Sequence, residues 1–222
     1  MNIGAFIKNS FVDYPGHIAS VIFTNGCNFN CWYCHNKSLI KGEENIEFDE
    51  ILQFLKTRQG LIEGVVISGG EPTLQNDLLD KIRLIKELGY KIKLDTNGTN
   101  SSILQKLIEE KLVDYVAMDI KAPLDKYSKI ICCNFKTDEI LKSIEILKEN
   151  RVDYEFRTTF SPDLELEDME KIFAFIKNCR YFYLQKHIPQ QNSSLKEHSL
   201  SDFEICSSLA KKYGIELKFR NL

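Results

Sequence analysis

The sequence predicts an α/β fold on a parallel sheet, arranged as a partial (β/α)6 TIM-like barrel left open at one side. Three observations predict it. Strand-like and helix-like segments alternate along most of the 222 residues, which is the pattern of repeated βα units. The alternation yields six such units, two short of a closed eightfold barrel. Polar residues also gather at the C-terminal ends of successive strands, where parallel α/β folds collect their ligands.

The first clear strand spans 18–24 and delivers a cysteine-bearing loop. A helix over 48–58 follows from Ile51, Leu52, Phe54 and Leu55, which share one face at helical spacing. A short apolar strand over 65–68 leads into Gly69-Gly70-Glu71-Pro72 and a helix over 76–88. The strand over 91–96 alternates Ile92 and Leu94 and ends in Asp95-Thr96-Asn97-Gly98, and a helix over 101–110 follows. The strand over 115–120 runs into Met118-Asp119-Ile120-Lys121, and a loop holding Pro123, Cys132 and Cys133 precedes a helix over 138–149. A strand over 153–160 carries Arg157, a helix covers 167–178, and the sixth strand, over 181–188, carries His187 near its end. A helix over 201–213 and a terminal strand over 215–219 complete the pattern. Without repeat, low-complexity tract or linker, the expectation is one domain over 1–222, with a core over about 17–190 and a C-terminal helix and strand within 199–222.

Composition is that of a folded globular protein: 43% hydrophobic and 27% charged. A net charge of −3 gives no basic field for a nucleic acid backbone. Lys211, Lys212, Lys218 and Arg220 read as a solvated face. With no leader-like N-terminus and no long apolar run, the expected location is the cytoplasm, away from membranes. Seven cysteines, an odd number, then read as reduced thiols rather than a disulfide framework. Cys132, Cys133, Cys179 and Cys206 are incidental or core by default.

The remaining three cysteines define the stretch from Asn25 to Asn36, with thiols at Cys27, Cys31 and Cys34. Three thiolates in one loop can hold a [4Fe-4S] cubane and leave one iron for a ligand that is not protein. A C-x-x-C pair at Cys31 and Cys34 also fits a redox dithiol, and three cysteines with His35 also fit a structural zinc site. Neither alternative requires Cys27 at its spacing of four. A zinc site also has no use for the polar motifs at the other strand ends.

C-x-x-x-C-x-x-C with an aromatic residue, Tyr33, directly before the third cysteine resembles the signature of the radical S-adenosylmethionine superfamily. The resemblance implies that the open iron binds the amino and carboxylate groups of S-adenosyl-L-methionine. One electron from the cluster then releases a 5′-deoxyadenosyl radical that takes a hydrogen atom from the substrate, so no side chain need serve as acid or base. Gly69-Gly70-Glu71-Pro72 is by itself a strand-to-helix turn. In the superfamily the matching motif receives the methionine amino group, and carbonyls, a carboxylate and close-approaching glycines suit an ammonium.

Asp95, Thr96 and Asn97, alone a turn, and Asp119 with Lys121 resemble strand ends of glycyl-radical-enzyme activating enzymes that line the cofactor pocket. On the same carry-over, Asp95, Thr96 and Asp119 bring hard oxygens suited to a monovalent cation. Arg157 is either a bidentate partner for the cofactor carboxylate or part of an inter-strand salt bridge. His187 is either structural or, as in relatives, a residue near the adenine. Tyr33 is expected against the adenine, with Trp32 covering the cluster.

Val12-Asp13-Tyr14-Pro15-Gly16 before the first strand, and His35-Asn36 after the third cysteine, also resemble the activating enzymes. With the short length, the nearest class is the anaerobic ribonucleoside-triphosphate reductase activating proteins. That class implies a protein substrate, a glycyl radical enzyme that loses a glycine α-hydrogen, and a flavodoxin or ferredoxin as electron donor. Two alternatives stand beside it. One is a small-molecule radical enzyme such as 7-carboxy-7-deazaguanine synthase, which would carry magnesium-binding Asp and hydroxyl residues where His35-Asn36 stands. The other is a non-catalytic zinc module.

Overall fold

The computed structural model describes residues 1–42, 45–189 and 197–222. The core boundary expected near residue 190 lies outside them. The strands are β1 (Ile3–Ser10), β2 (Ala19–Thr24), β3 (Gly64–Gly69), β4 (Lys91–Thr96), β5 (Tyr115–Asp119), β6 (Asp153–Phe160), β7 (Phe182–Lys186) and β8 (Leu217–Arg220). The helices are α1 (Lys37–Lys41), α2 (Phe48–Lys56), α3 (Leu78–Glu87), α4 (Ser101–Glu109), α5 (Tyr127–Ile131), α6 (Asp138–Lys148), α7 (Leu166–Phe175) and α8 (Leu200–Lys212), with a 3-10 turn at Pro72–Leu74. The sheet order follows the chain from β1 to β8. The α/β class and the six βα units are as expected: β2 to β7 are the six strands read from the sequence, and β8 is the terminal one.

β1 is the addition. It pairs antiparallel with β2, setting Ile3 opposite Thr24 and Ser10 opposite Ala19. β2 and β3 are parallel and in register from Ala19 with Gly64 to Thr24 with Gly69, so the C-terminal ends of the two strands lie side by side.

The chain divides into two compact units. The first comprises Met1–Asn28, His35–Ala117 and Glu139–Asp153; the second comprises Phe29–Cys34, Met118–Asp138 and Tyr154–Leu222. In the first unit α2 buries Phe48, Ile51 and Leu55, α3 buries Leu78, Ile82 and Ile85, and α4 buries Leu104, Leu107 and Ile108. These spacings of three and four residues are what one helical face requires. Asn100 caps α4 by accepting from Ile103 N at 3.3 Å. In the second unit α7 and α8 both begin in capping boxes, Glu165 with Asp168 and Ser199 with Asp202. β7 pairs parallel with β6 and with β8. Among the described residues no helix is long and apolar enough to cross a membrane.

Candidate active site

In the first unit, β2 and β3 end together and their loops are joined by backbone. Gly70 N donates to Thr24 O at 2.9 Å and Glu71 N to Gly26 O at 2.8 Å, directly before Cys27. Only glycine fits there. A Cβ on Gly70 would stand 1.9 Å from Gly26 O, and one on Gly69, at φ +119°, would stand 2.3 Å from Thr24 N. The close approach these glycines make here is to the backbone that leads into the cysteine loop.

Glu71 is 0% exposed, and its carboxylate accepts four hydrogen bonds. Oε1 receives Thr73 N at 3.1 Å, Thr73 Oγ1 at 2.6 Å and Thr96 Oγ1 at 2.7 Å, while Oε2 receives Asn97 N at 2.7 Å. Burial pushes its pKa up, and the hydrogen bonds from Asn97, Thr73 and Thr96 oppose that shift. Glu71 therefore ties the turn after β3 to the end of β4. That tie orients Asn97, whose Nδ2 donates to Asn28 Oδ1 at 2.9 Å and reaches Cys27 Sγ at 4.0 Å. An amide N–H on a cluster thiolate is one of the levers that set cluster potential. Asp95 accepts from Ser68 Oγ at 3.1 Å and forms an ion pair with Lys93.

In the second unit, Cys34 N donates to Cys31 O at 3.1 Å, which turns the loop back on itself. Asn30 N donates to Ile131 O at 3.0 Å, and Phe29 packs on Tyr127 with ring centroids 6.2 Å apart. The loop is thus held against α5. Cys31 is 6% exposed, and burial pushes its thiol up while Lys121 pulls it down. Trp32, Tyr33 and His187 form an aromatic group with centroid separations of 5.4 to 6.2 Å. Among the described residues Trp32 Nε1 and Tyr33 OH are buried there with no hydrogen-bond partner. Two orphaned donors in one aromatic group are costly unless something with acceptor atoms sits beside them.

Asp119, at the end of β5, is bonded by Arg157 Nε at 2.8 Å and Lys121 Nζ at 3.0 Å. The inter-strand salt bridge weighed for Arg157 is present. Burial would raise the Asp119 pKa, but Arg157 and then Lys121 outweigh it and hold the carboxyl well below the ordinary range. A folded pKa below the unfolded one means stability that is present above about pH 4 and lost as pH falls through the folded value. We therefore expect Asp119→Asn to cost about 3 kcal/mol at neutral pH by stranding two partly buried cations. The gap to wild type should narrow as pH falls below about 4. Urea unfolding across pH reads this directly, and parallel curves would remove the ion-pair account.

Cys27, Cys31 and Cys34 thus lie on one loop, and no disulfide joins any cysteine among the described residues. Three thiols on eight consecutive residues suit a cubane, which takes each thiolate on a different iron; in the first unit an amide stands at Cys27 Sγ, and in the second the orphaned donors are the residues between Cys31 and Cys34. Among the described residues no three His, Cys, Asp or Glu side chains converge on a single ion. Cys179 and Cys206 are buried in the core, where burial pushes the Cys206 thiol to about 12. Sequence reading did not single out Lys93, Ser68, Thr73 or Asn28. The signal for Lys93 was there, because residues two apart on a strand share a face and Asp95 is two residues on.

The model of the Radical SAM superfamily matches residues 21–176. A Methanocaldococcus jannaschii protein provisionally named a glycyl-radical enzyme activating enzyme is 37% identical over 95% of this chain and 92% of its own. The pyruvate formate-lyase-activating enzyme of Clostridium pasteurianum is 33% identical over 76% of this chain and 73% of its own. Among solved structures, Streptococcus suis SuiB bound to S-adenosylmethionine matches with a TM-score of 0.71 at 16% identity, over 90% of this chain. The present chain spans half the length of that one.

Proposed function

The chain belongs to the radical SAM superfamily, and from that premise we propose that it activates a glycyl radical enzyme. The observation that carries the proposal is likeness to named activating enzymes along most of both chains, 95% of this one in the Methanocaldococcus case. A shared core alone would align only in part. When bound, the [4Fe-4S] cluster and S-adenosylmethionine supply one-electron cleavage of the sulfonium. That chemistry would yield methionine and 5′-deoxyadenosine and leave the partner's glycine α-carbon one hydrogen atom short.

The chain's own residues bind and orient. Cys27, Cys31 and Cys34 are the proposed cluster ligands. Gly69 and Gly70 offer backbone carbonyls to the methionine ammonium, while Glu71 positions the turn that carries them. Asp95, Thr96, Asn97, Asp119 and Lys121 line the cofactor pocket. Arg157, which also bonds Asp119, receives the cofactor carboxylate. Tyr33 and His187 bracket the adenine, and Trp32 shields the cluster from water. Glycine suits the reaction because, lacking Cβ, it can lie close to the attacking carbon.

We further propose a single working domain, a cytoplasmic and anaerobic setting, a flavodoxin or ferredoxin donor, and anaerobic ribonucleotide reductase as partner. The test is anaerobic. The chain is reconstituted with iron and sulfide, reduced, and mixed with S-adenosylmethionine and the glycyl radical enzyme encoded in the same genome. The expected result is 5′-deoxyadenosine in step with a glycyl radical signal in the partner's electron paramagnetic resonance spectrum. 5′-Deoxyadenosine without a radical on any candidate partner would return the protein to the small-molecule enzymes of the superfamily.

A further inference from the structure

We infer that this chain carries its own cations at the strand-end carboxylates, Lys93 at Asp95 and Arg157 with Lys121 at Asp119, so that a free monovalent cation has no place there. Hard oxygens suited to such an ion are offered by Asp95 and Thr96 in the first unit and by Asp119 in the second. Each is already engaged.

Lys93 lies in the middle of β4 and is only 2% exposed, so its ammonium has left water for Asp95, with which it forms an ion pair. Ser68 Oγ donates to the other carboxylate oxygen at 3.1 Å. The Thr96 hydroxyl donates to Glu71 Oε1 at 2.7 Å and accepts from Gly98 N at 3.1 Å. In the second unit, Asp119 gives one oxygen to Arg157 and the other to Lys121. An ammonium is a compact monovalent cation with three donors, able to do for a carboxylate what potassium or sodium would do. A further cation at Asp95 would meet a neutralised carboxylate and stand beside a buried like charge, where repulsion is poorly screened.

The readout with cofactor rests on the function proposed above; the readout without it does not. Thallium(I), a spectroscopic stand-in for potassium, is titrated into the full chain and followed by its own magnetic resonance. In parallel, S-adenosylmethionine affinity of the reconstituted protein is measured in choline, sodium and potassium chloride at equal ionic strength.

Wild type should give no saturable thallium signal and affinities within about twofold across the three salts. Lys93→Met strands Asp95 and should create the missing site. Thallium then binds and is displaced by potassium, and cofactor affinity falls about tenfold in choline but recovers in potassium. The double variant Lys93→Met/Asp95→Asn removes both charges and should fold without binding thallium, which separates loss of the site from loss of the fold. Potassium-displaceable thallium on wild type, or a folded Lys93→Met that gains no thallium site, would overturn the inference. Absence of cofactor binding in every salt would count against the function instead, while the thallium titration still decides the cation question.

Discussion

Cys31→Ala is expected to bring S-adenosylmethionine cleavage to background and to leave the fold standing. The Cys31 side chain is nearly buried, so trimming it to Ala costs on the order of 1 kcal/mol of packing, small against the stability of a domain. Its chemical loss is total, because a cubane already one protein ligand short cannot give up another. Cys27→Ala and Cys34→Ala should behave alike. Iron and labile sulfide per chain, 5′-deoxyadenosine by chromatography and far-ultraviolet circular dichroism separate loss of the cluster from loss of the fold. Cys206→Ala is the matched control, fully buried in the core and expected to keep its iron. Cys133 is a candidate rescuer, half-buried and hydrogen-bonded to the backbone at Asn30 within the loop. A Cys31→Ala protein that retains iron until Cys133 is also replaced would show that the loop can borrow a ligand, and would overturn the assignment of three fixed ligands.

The parallel strands were legible as short apolar runs, as over 65–68, or as alternation, as over 91–96, bounded by turn residues, and the helices because their buried residues recur at three and four. The candidate site was legible for a related reason: its residues sit at strand ends, in short motifs whose order along the chain is the order of the strands. β1 was not legible. Its apolar run over 3–7 breaks off at Lys8 and Asn9 and its burial runs in blocks rather than alternating, so its place comes from pairing with β2. For Lys93 the shared face with Asp95 was readable but the burial was not. On a strand covered on both faces a lysine can be as buried as its apolar neighbours, and period-two reading of Ile92 and Leu94 assigns it outward by default. Glu71 was visible as a residue but not as a structural tie, since the donors that converge on it come from Thr73, Thr96 and Asn97, two of them more than twenty positions away.

That convergence makes Glu71→Ala the other large effect. Removing the carboxylate leaves two backbone N–H groups and two hydroxyls without their acceptor in a site closed to water, which costs about 3 to 5 kcal/mol. For a chain of this length that lowers the melting temperature by on the order of 10 °C. Glu71→Gln keeps the size and one acceptor but aims an amide at donors, so it should fall between Ala and wild type. Its pH response separates charge from shape. Because burial raises the Glu71 pKa, what the acid contributes to stability is fullest below its unfolded value and declines as pH rises through the folded one. Gln, which does not titrate, should lose that dependence and thereby bend the stability curve in the sense opposite to Asp119→Asn. The consequence for the site runs through Asn97, whose backbone N–H Glu71 holds and whose side chain reaches Cys27 Sγ. A variant that folds and binds iron should therefore show a shifted cluster potential by redox titration. An unchanged potential in folded Glu71→Gln would confine Glu71 to stability and detach it from the cluster.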